Sequence, residues 1–377
     1  MGHNMLNKNW SIDNTFLFWI IQLIASGTLI MYSASSPMAE IKFDNHLYYL
    51  LKHIKWIIIG VMAYQVSSRL KYHQIKTIIP FIVVGTWILV LLAFYMNSTN
   101  KPSRWLIING TSWMTTSDLA RIMLIIYTAY FIDKYHDKLS DWKFMIVNFS
   151  IIPLITLGLI LKQPDLSSTI IISLIIACML LVAKVSYKYL VILFLAAIIL
   201  FSYKISTNKY MYNRLDNWVQ SFYVDSEQAI DNQQRKALMA LGSGGLTGKK
   251  LGNSKLKDGY LPAAHTDYIL AIIGEEYGFL GIGYMFFLFI MIFHLGIQTV
   301  KICADRFSLF LSLGVVINII FYFLINVAYV IGYAPNTGLS LPFISYGGSN
   351  TIFTLIAVGL LIGISRESLR LKTNKII

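Results

Sequence analysis

The sequence predicts an all-α polytopic membrane protein of about ten transmembrane helices, with one large extracytoplasmic loop and both termini cytoplasmic. Three observations carry this. Of the 377 residues, 56% are hydrophobic and only 13% charged, whereas soluble domains carry about a quarter charged residues. Apolar runs such as TFLFWIIQLIASGTLIM from Thr15 and LVILFLAAIILF from Leu190 recur along the chain, and each suits a lipid-facing helix. Lysine and arginine alternate between rich and poor connections, as they do where basic residues are retained on the cytoplasmic side. No long polar half is present, so 1–377 reads as a single membrane domain with no soluble enzyme attached.

The first apolar window, 14–34, has about span length and no small-residue cleavage site, so it reads as a retained span rather than a secretory signal. Further windows fall at 49–67, 75–96, 117–133, 144–161, 167–184, 188–205, 266–299, 307–333 and 350–365. The fourth opens with Asp118 and Arg121. The eighth is long enough for a short helix followed by a full span. Even-numbered connections hold Arg69, Lys71 and Lys76, then Lys134, Lys138 and Lys143, then Lys184 and Lys188, then Lys301 and Arg306, and the C-terminal tail adds Arg366, Arg370, Lys372 and Lys375. The short odd-numbered connections hold only Lys42, then Lys101 and Arg104, then Lys162. Lys52 and Lys55 run against the pattern, at the outer end of the second span. The alternation places the long loop 206–265 outside the cytoplasm. The net charge of +13 is then largely topological and calls for no nucleic acid. Cys178 and Cys303 lie in or beside separate spans without His or Cys at ligand spacing, which supports neither a disulfide framework nor a zinc site.

Several motifs carry more than topology. GSGGLTGKKLG, from Gly242 to Gly252, fails the phosphate-loop pattern because Lys250 stands where Ser or Thr is needed. It reads as a turn that permits close backbone approach. Asn318 and Asn326 lie eight residues apart in the ninth span, within about 80° of each other on one helix; interhelical hydrogen bonding and a substrate role both fit. Arg104 can anchor to lipid headgroups or clamp a diphosphate with its guanidinium fork. Asp267 follows the polar loop and opens an apolar helix, so it sits at the outer membrane boundary. It is either a charge favourable to the helix dipole or a general base whose pKa desolvation raises, with His265 near enough to orient it. Glu275 and Glu276 would lie roughly 12–13 Å deeper on a continuous helix, too far to pair with Asp267.

In order along nearly the whole chain, these segments resemble the SEDS family, whose members FtsW, RodA and SpoVE polymerise peptidoglycan glycan strands. Tyr32-Ser-Ala-Ser35 resembles the motif ending the first span, Arg104-Trp105 an RW pair, and Gln163-Pro-Asp-Leu166 the QPDLG segment. GSGGL, GYLP, HTD and IGEE resemble the loop and helix around the catalytic aspartate. Asn326, Gly332, Pro335 and Gly338 keep the family spacing before Leu341-Pro-Phe-Ile-Ser-Tyr-Gly-Gly-Ser349. The resemblance implies that Asp267 is the catalytic base toward an acceptor sugar hydroxyl. It makes Arg104, Arg121 and Lys52 candidates to neutralise a polyprenyl diphosphate, and marks His265, Asp165, Ser345 and Asn326 as further substrate-binding positions. It implies lipid II and the nascent glycan strand as substrates, and a class B penicillin-binding transpeptidase and other divisome membrane proteins as partners. The implied location is the bacterial inner membrane at the division septum. No cofactor is called for, and a divalent cation stays open. The PMA after YSASS and the loop pattern lean toward FtsW within the family.

Departures from the family pattern are Ala263 for Glu, Thr116, Asp118 and Arg121 for PSE followed by Lys, and Lys236-Ala237 for Gln-Ser. Lys250 replaces Gly, Asn336-Thr337 replaces Thr-Lys, and Asn350 replaces Ser. Two other functions fit a chain of this kind: a flippase moving the lipid-linked precursor outward, and a non-catalytic scaffold for a transpeptidase. No inverted repeat is apparent.

Overall fold

The computed structural model describes residues 2–96, 104–108, 111–163, 165–223, 232–257 and 264–374. The fold is mostly helical. In chain order come α1 (Gly2–Phe43), α2 (Tyr48–Ser67), α3 (Tyr72–Met96), a hairpin of β1 (Trp105–Ile108) and β2 (Thr111–Thr115), and α4 (Thr116–Lys134). There follow α5 (Trp142–Phe149) and α6 (Ile151–Lys162), α7 (Leu166–Val182), α8 (Tyr187–Thr207), α9 (Lys209–Tyr223), α10 (Asn232–Ser243), α11 (Ile269–Ile302), α12 (Arg306–Val330) and α13 (Gly348–Asn374).

A helix occupies each of the ten apolar windows, but by length and apolarity only six qualify as spans, or seven if the bent pair α5–α6 counts as one. The coarser expectation, a helical protein with several apolar spans, is met, and by this criterion six or seven of the ten expected spans qualify. The other three fall short for physical reasons: Lys52, His53 and Lys55 dilute α2, α4 carries Asp118, Arg121, Asp133 and Lys134, and α7 has 17 residues. Arg121 and His53 are fully buried in the protein, and Asp118 nearly so, so their polarity is turned toward neighbouring helices rather than lipid. The 53° bend between α5 and α6 sits just before Pro153, which cannot donate to the carbonyl of Phe149. Tyr127 Oη donates to that oxygen instead, at 3.4 Å.

Helix α8 buries only Tyr189, whereas α12 and α13 are largely enclosed. The hairpin, absent from the sequence reading, pairs Trp105 with Thr115 and Leu106 with Met114 in antiparallel register. Its function in the fold is positional: the carbonyl of Arg104 accepts from Thr116 N at 3.1 Å, which ties the arginine to the start of α4.

Helix α11 is broken at Gly278, where φ is +66°. The half-helix before the break, 269–277, carries Asp267 at its entrance and Glu275 and Glu276 at its end. A Cβ at Gly278 would lie 2.5 Å from Gly248 N, and one at Gly248 would lie 2.2 Å from the carbonyl oxygen of Glu276. The glycine run thus meets α11 backbone to backbone, as a close-approach turn requires. Lys249 N and Lys250 N donate to the carbonyls of Glu275 and Glu276, each at 2.9 Å.

Candidate active site

Two cavities adjoin at Asp267. The smaller, about 350 Å³, is walled by hydroxyl and amide side chains, among them Thr115, Ser117, Ser168, Thr266, Ser340 and Asn350. The larger, about 660 Å³, runs from the start of α7 past α8 and α9 to the 335–338 turn, and mixes Arg104, Arg214 and Gln233 with Leu166, Ile170, Ile205 and Leu215. Arg104, Asp165, Asp267, Thr337 and Gly338 line both.

Asp267 is held by its backbone. Its carbonyl accepts from Asn326 Nδ2 at 3.1 Å and, through a very short contact, from Tyr329 Oη. The same two α12 side chains bond the carbonyl of Leu339, at 2.8 Å from Asn326 and 3.2 Å from Tyr329. Entrance of α11 and the turn before α13 are therefore locked together, leaving the Asp267 carboxylate to face the cavities. A Cβ at Gly338 would lie 3.4 Å from Asp267 Oδ2, and Gly338 adopts φ +65°, a conformation that favours glycine. Burial pushes the Asp267 carboxyl above its ordinary 3.8, while Arg104, the Thr266 hydrogen bond and Arg214 pull the other way and do not cancel it.

Arg104 and Asp165 stand on the shared wall, Nη1 to Oδ1 3.9 Å. Asp165 also caps α7, accepting from Ser168 N at 3.2 Å and Ser168 Oγ at 2.8 Å. The other sequence candidates lie elsewhere. Arg121 is fully buried behind the smaller cavity: it pairs with Asp118 at 3.2 Å, donates to Asn350 Oδ1 at 3.0 Å and stacks 4.3 Å over Tyr322. Asp118, Asn350 and Tyr322 line that cavity, and Arg121 does not. Lys52 is exposed, bonded to Tyr48 Oη, and lines neither cavity. Ser345 is spent on its own turn, accepting from Leu341 N at 2.8 Å, and Asn326 acts on backbone carbonyls, so neither touches the cavities.

His265 is also outside both. Its ring lies 4.7 Å from Tyr49 and 5.8 Å from Tyr346, and its carbonyl accepts from Tyr346 N at 2.9 Å. Burial, helped by Lys42, lowers its pKa to about 4, so it is a neutral packing group. Glu275 and Glu276 bind the preceding loop. Glu276 meets Lys257 at 2.9 Å and Ser33 at 2.7 Å, and Glu275 meets Lys249 at 2.8 Å. Ala263 lies outside the described residues. Among those described, no cluster of three or more His, Cys, Asp or Glu is placed to hold a metal.

Arg214 is a site residue that sequence reasoning missed. It lines the larger cavity from α9. The available signal was amphipathicity: Met211 and Leu215 flank it at helical spacing, which turns Arg214 toward the same side.

A sequence model of the cell cycle protein family of FtsW, RodA and SpoVE matches residues 14–370. A probable peptidoglycan glycosyltransferase FtsW of Geobacter sp. (strain M18) is 32% identical over 356 residues, covering 94% of this chain and 96% of the relative. The corresponding protein of Haemophilus influenzae (strain Rd) is 30% identical, with 93% and 90% covered. In fold, the chain is similar to the rod shape determining protein RodA of Thermus thermophilus, with TM-score 0.68, 19% identity and coverage of 93% and 96%. It is similar too to a chain from a peptidoglycan synthase complex studied for its structural coordination of polymerization and crosslinking, with TM-score 0.74, 18% identity and coverage of 94% and 97%.

Proposed function

This chain belongs to the cell cycle protein family of FtsW, RodA and SpoVE, and from that premise we propose that it is a peptidoglycan glycosyltransferase that polymerises lipid II into glycan strands during cell division. One observation carries the mechanism: Asp267 stands at the junction of two cavities beside Arg104, and the other carboxylate there, Asp165, is taken up in capping α7 through Ser168. The hydroxyl-lined smaller cavity suits an acceptor sugar. The larger, whose lining combines cations with apolar side chains, suits the donor's diphosphate and the start of its lipid.

In the reaction, the acceptor hydroxyl oxygen attacks the donor's anomeric carbon. The bond from that carbon to the diphosphate oxygen breaks, and its electron pair leaves on the polyprenyl diphosphate. Asp267 takes the hydroxyl proton. One base is enough, because a diphosphate leaves readily and needs charge neutralisation more than protonation; Arg104 supplies it. Arg121 acts as a positioning residue behind the acceptor wall, holding Asp118 and Asn350, which line it.

The protein is multi-pass in the membrane. The alternation of basic residues supports cytoplasmic termini, with 206–265 and Asp267 on the outer side of the bacterial inner membrane, at the septum. The similarity to a complex that couples polymerization to crosslinking supports a class B penicillin-binding transpeptidase as partner.

The test is polymerisation of lipid II by the purified protein with its cognate transpeptidase. Asp267→Asn is expected to lower the rate by ~10²–10⁴-fold, the usual contribution of a general base, with membrane insertion unchanged. Full activity in that variant overturns the base assignment. Outward translocation of lipid II in vesicles, with no polymer from wild type, overturns the polymerase reading.

A further inference from the structure

The larger cavity has a cation whose role the family motifs leave unassigned. Helix α9 crosses its mouth and presents Met211, Arg214 and Leu215 to it, one face of a strongly amphipathic helix. That face is fixed in place. Trp218 Nε1 donates to the carbonyl of Gly332 at 3.0 Å, and Gln234 of α10 donates to the carbonyls of Tyr329 and Ala334 at 2.6 and 3.2 Å. The turn carrying Gly338 and the helix carrying Arg214 are thus one assembly.

The cavity's lining combines cationic and apolar side chains. Arg104 and Arg214 are its two cationic side chains, and the charge of Arg214 reaches the junction, since it helps hold down the Asp267 carboxyl. Arg104 also lies 3.9 Å from Asp165. Leu166, Ile170 and Ile205 of α7 and α8 add apolar surface to the same lining. Ile170 keeps 37% of its surface exposed, and α8 is almost wholly uncovered by protein, so a hydrocarbon chain has a way out between them. An anionic head joined to a long apolar chain matches both kinds of lining at once.

We propose that Arg214 is a diphosphate-binding residue, which together with Arg104 holds the diphosphate of a polyprenyl-linked substrate and of the leaving product. This rests on the polymerase reading for its place in the reaction, but the binding itself does not need turnover. Arg121 and Lys52, which the sequence offered for this role, are walled off or remote from the cavity, and Arg214 stands where they were expected to act.

The experiment measures binding alone. Wild type, Arg214→Gln and Arg214→Lys, each purified in detergent, are titrated with a polyprenyl diphosphate and separately with inorganic pyrophosphate. The readout is the melting midpoint, which rises with a ligand that binds only the folded protein. Arg214→Gln is expected to weaken polyprenyl diphosphate by ~10–100-fold, the loss typical of hydrogen bonds to a charged group. Arg214→Lys, which keeps the charge without the fork, is expected to weaken it less, and pyrophosphate to bind wild type far more weakly. Unchanged affinity in Arg214→Gln overturns the assignment. Should that variant show no folded transition, unchanged affinity in Arg214→Lys does the same. Pyrophosphate binding as tightly as polyprenyl diphosphate overturns the lipid-linked ligand. Failure of the polymerase reading appears separately, as absence of polymer from wild type, and leaves these binding results standing.

Discussion

A base that takes a proton from a sugar hydroxyl works best with its pKa drawn up toward the working pH, and Asp267 meets that need by where it sits. Burial raises its carboxyl above 3.8 despite Arg104, Thr266 and Arg214. Only the ionised form accepts a proton, so the polymerisation rate is expected to fall as pH drops through that raised value, with an acid limb beginning above 3.8. His265, neutral from about 4 upward, adds no inflection near neutrality. Initial rates across pH check this, and a profile flat down to 3.8 places the base elsewhere. The sequence places Asp267 locally, as a carboxylate between a polar loop and an apolar helix, but that reading left a helix-dipole charge and a base both open, and only the family resemblance singled it out. His265 was adjacent in sequence but not in action, because its ring turns away to Tyr49 and Tyr346. Lys52 and Arg121 were misplaced for the same reason, as side-chain direction is decided by neighbours that spacing does not reveal.

At the scale of elements, the half-helix that carries Asp267 is held at its far end by buried charge. Lys257 and Glu276 are 6% and 0% exposed and 2.9 Å apart, with Ser33 of α1 bonded to both. Breaking such a pair from one side strands the other charge and costs about 3–5 kcal/mol, whereas removing both can be nearly neutral. Lys257→Met is therefore expected to destabilise the protein strongly, and Lys257→Met with Glu276→Leu to recover much of the loss; thermal unfolding in detergent reads both. Equal stability of wild type and Lys257→Met would show that the pair does not anchor the loop. The helices themselves were legible from apolar runs, and the break of the eighth window at Gly278 was anticipated by its length. The hairpin was not, because four- and five-residue strands give no periodicity that stands out from a polar connection. Lys250, at φ +76°, occupies the left-handed region where the family usually has Gly, a strain that only the backbone shows.

For the whole molecule, topology is the main inference still to be measured. With Cys178 and Cys303 replaced by Ser, single cysteines at Asn253 and Lys138, both exposed, report the two sides. A membrane-impermeant maleimide on intact spheroplasts is expected to label Asn253→Cys, and Lys138→Cys only after permeabilisation; the reverse pattern overturns the orientation. Helical class, the positions of the ten helices and the likeness to one family were determined by the sequence alone, because apolar length, basic-residue bias and motif order are properties of the chain read in one dimension. What only the tertiary structure decided is that Arg104 and Asp165 line the same cavities as Asp267 while Arg121 and Lys52 do not, and that Arg214 lines the larger one. The physical reason is that a cavity is made by the directions of side chains from separate elements. Those directions are set by packing and hydrogen bonds between residues distant in sequence, such as the Asn326 bridge between Asp267 and Leu339.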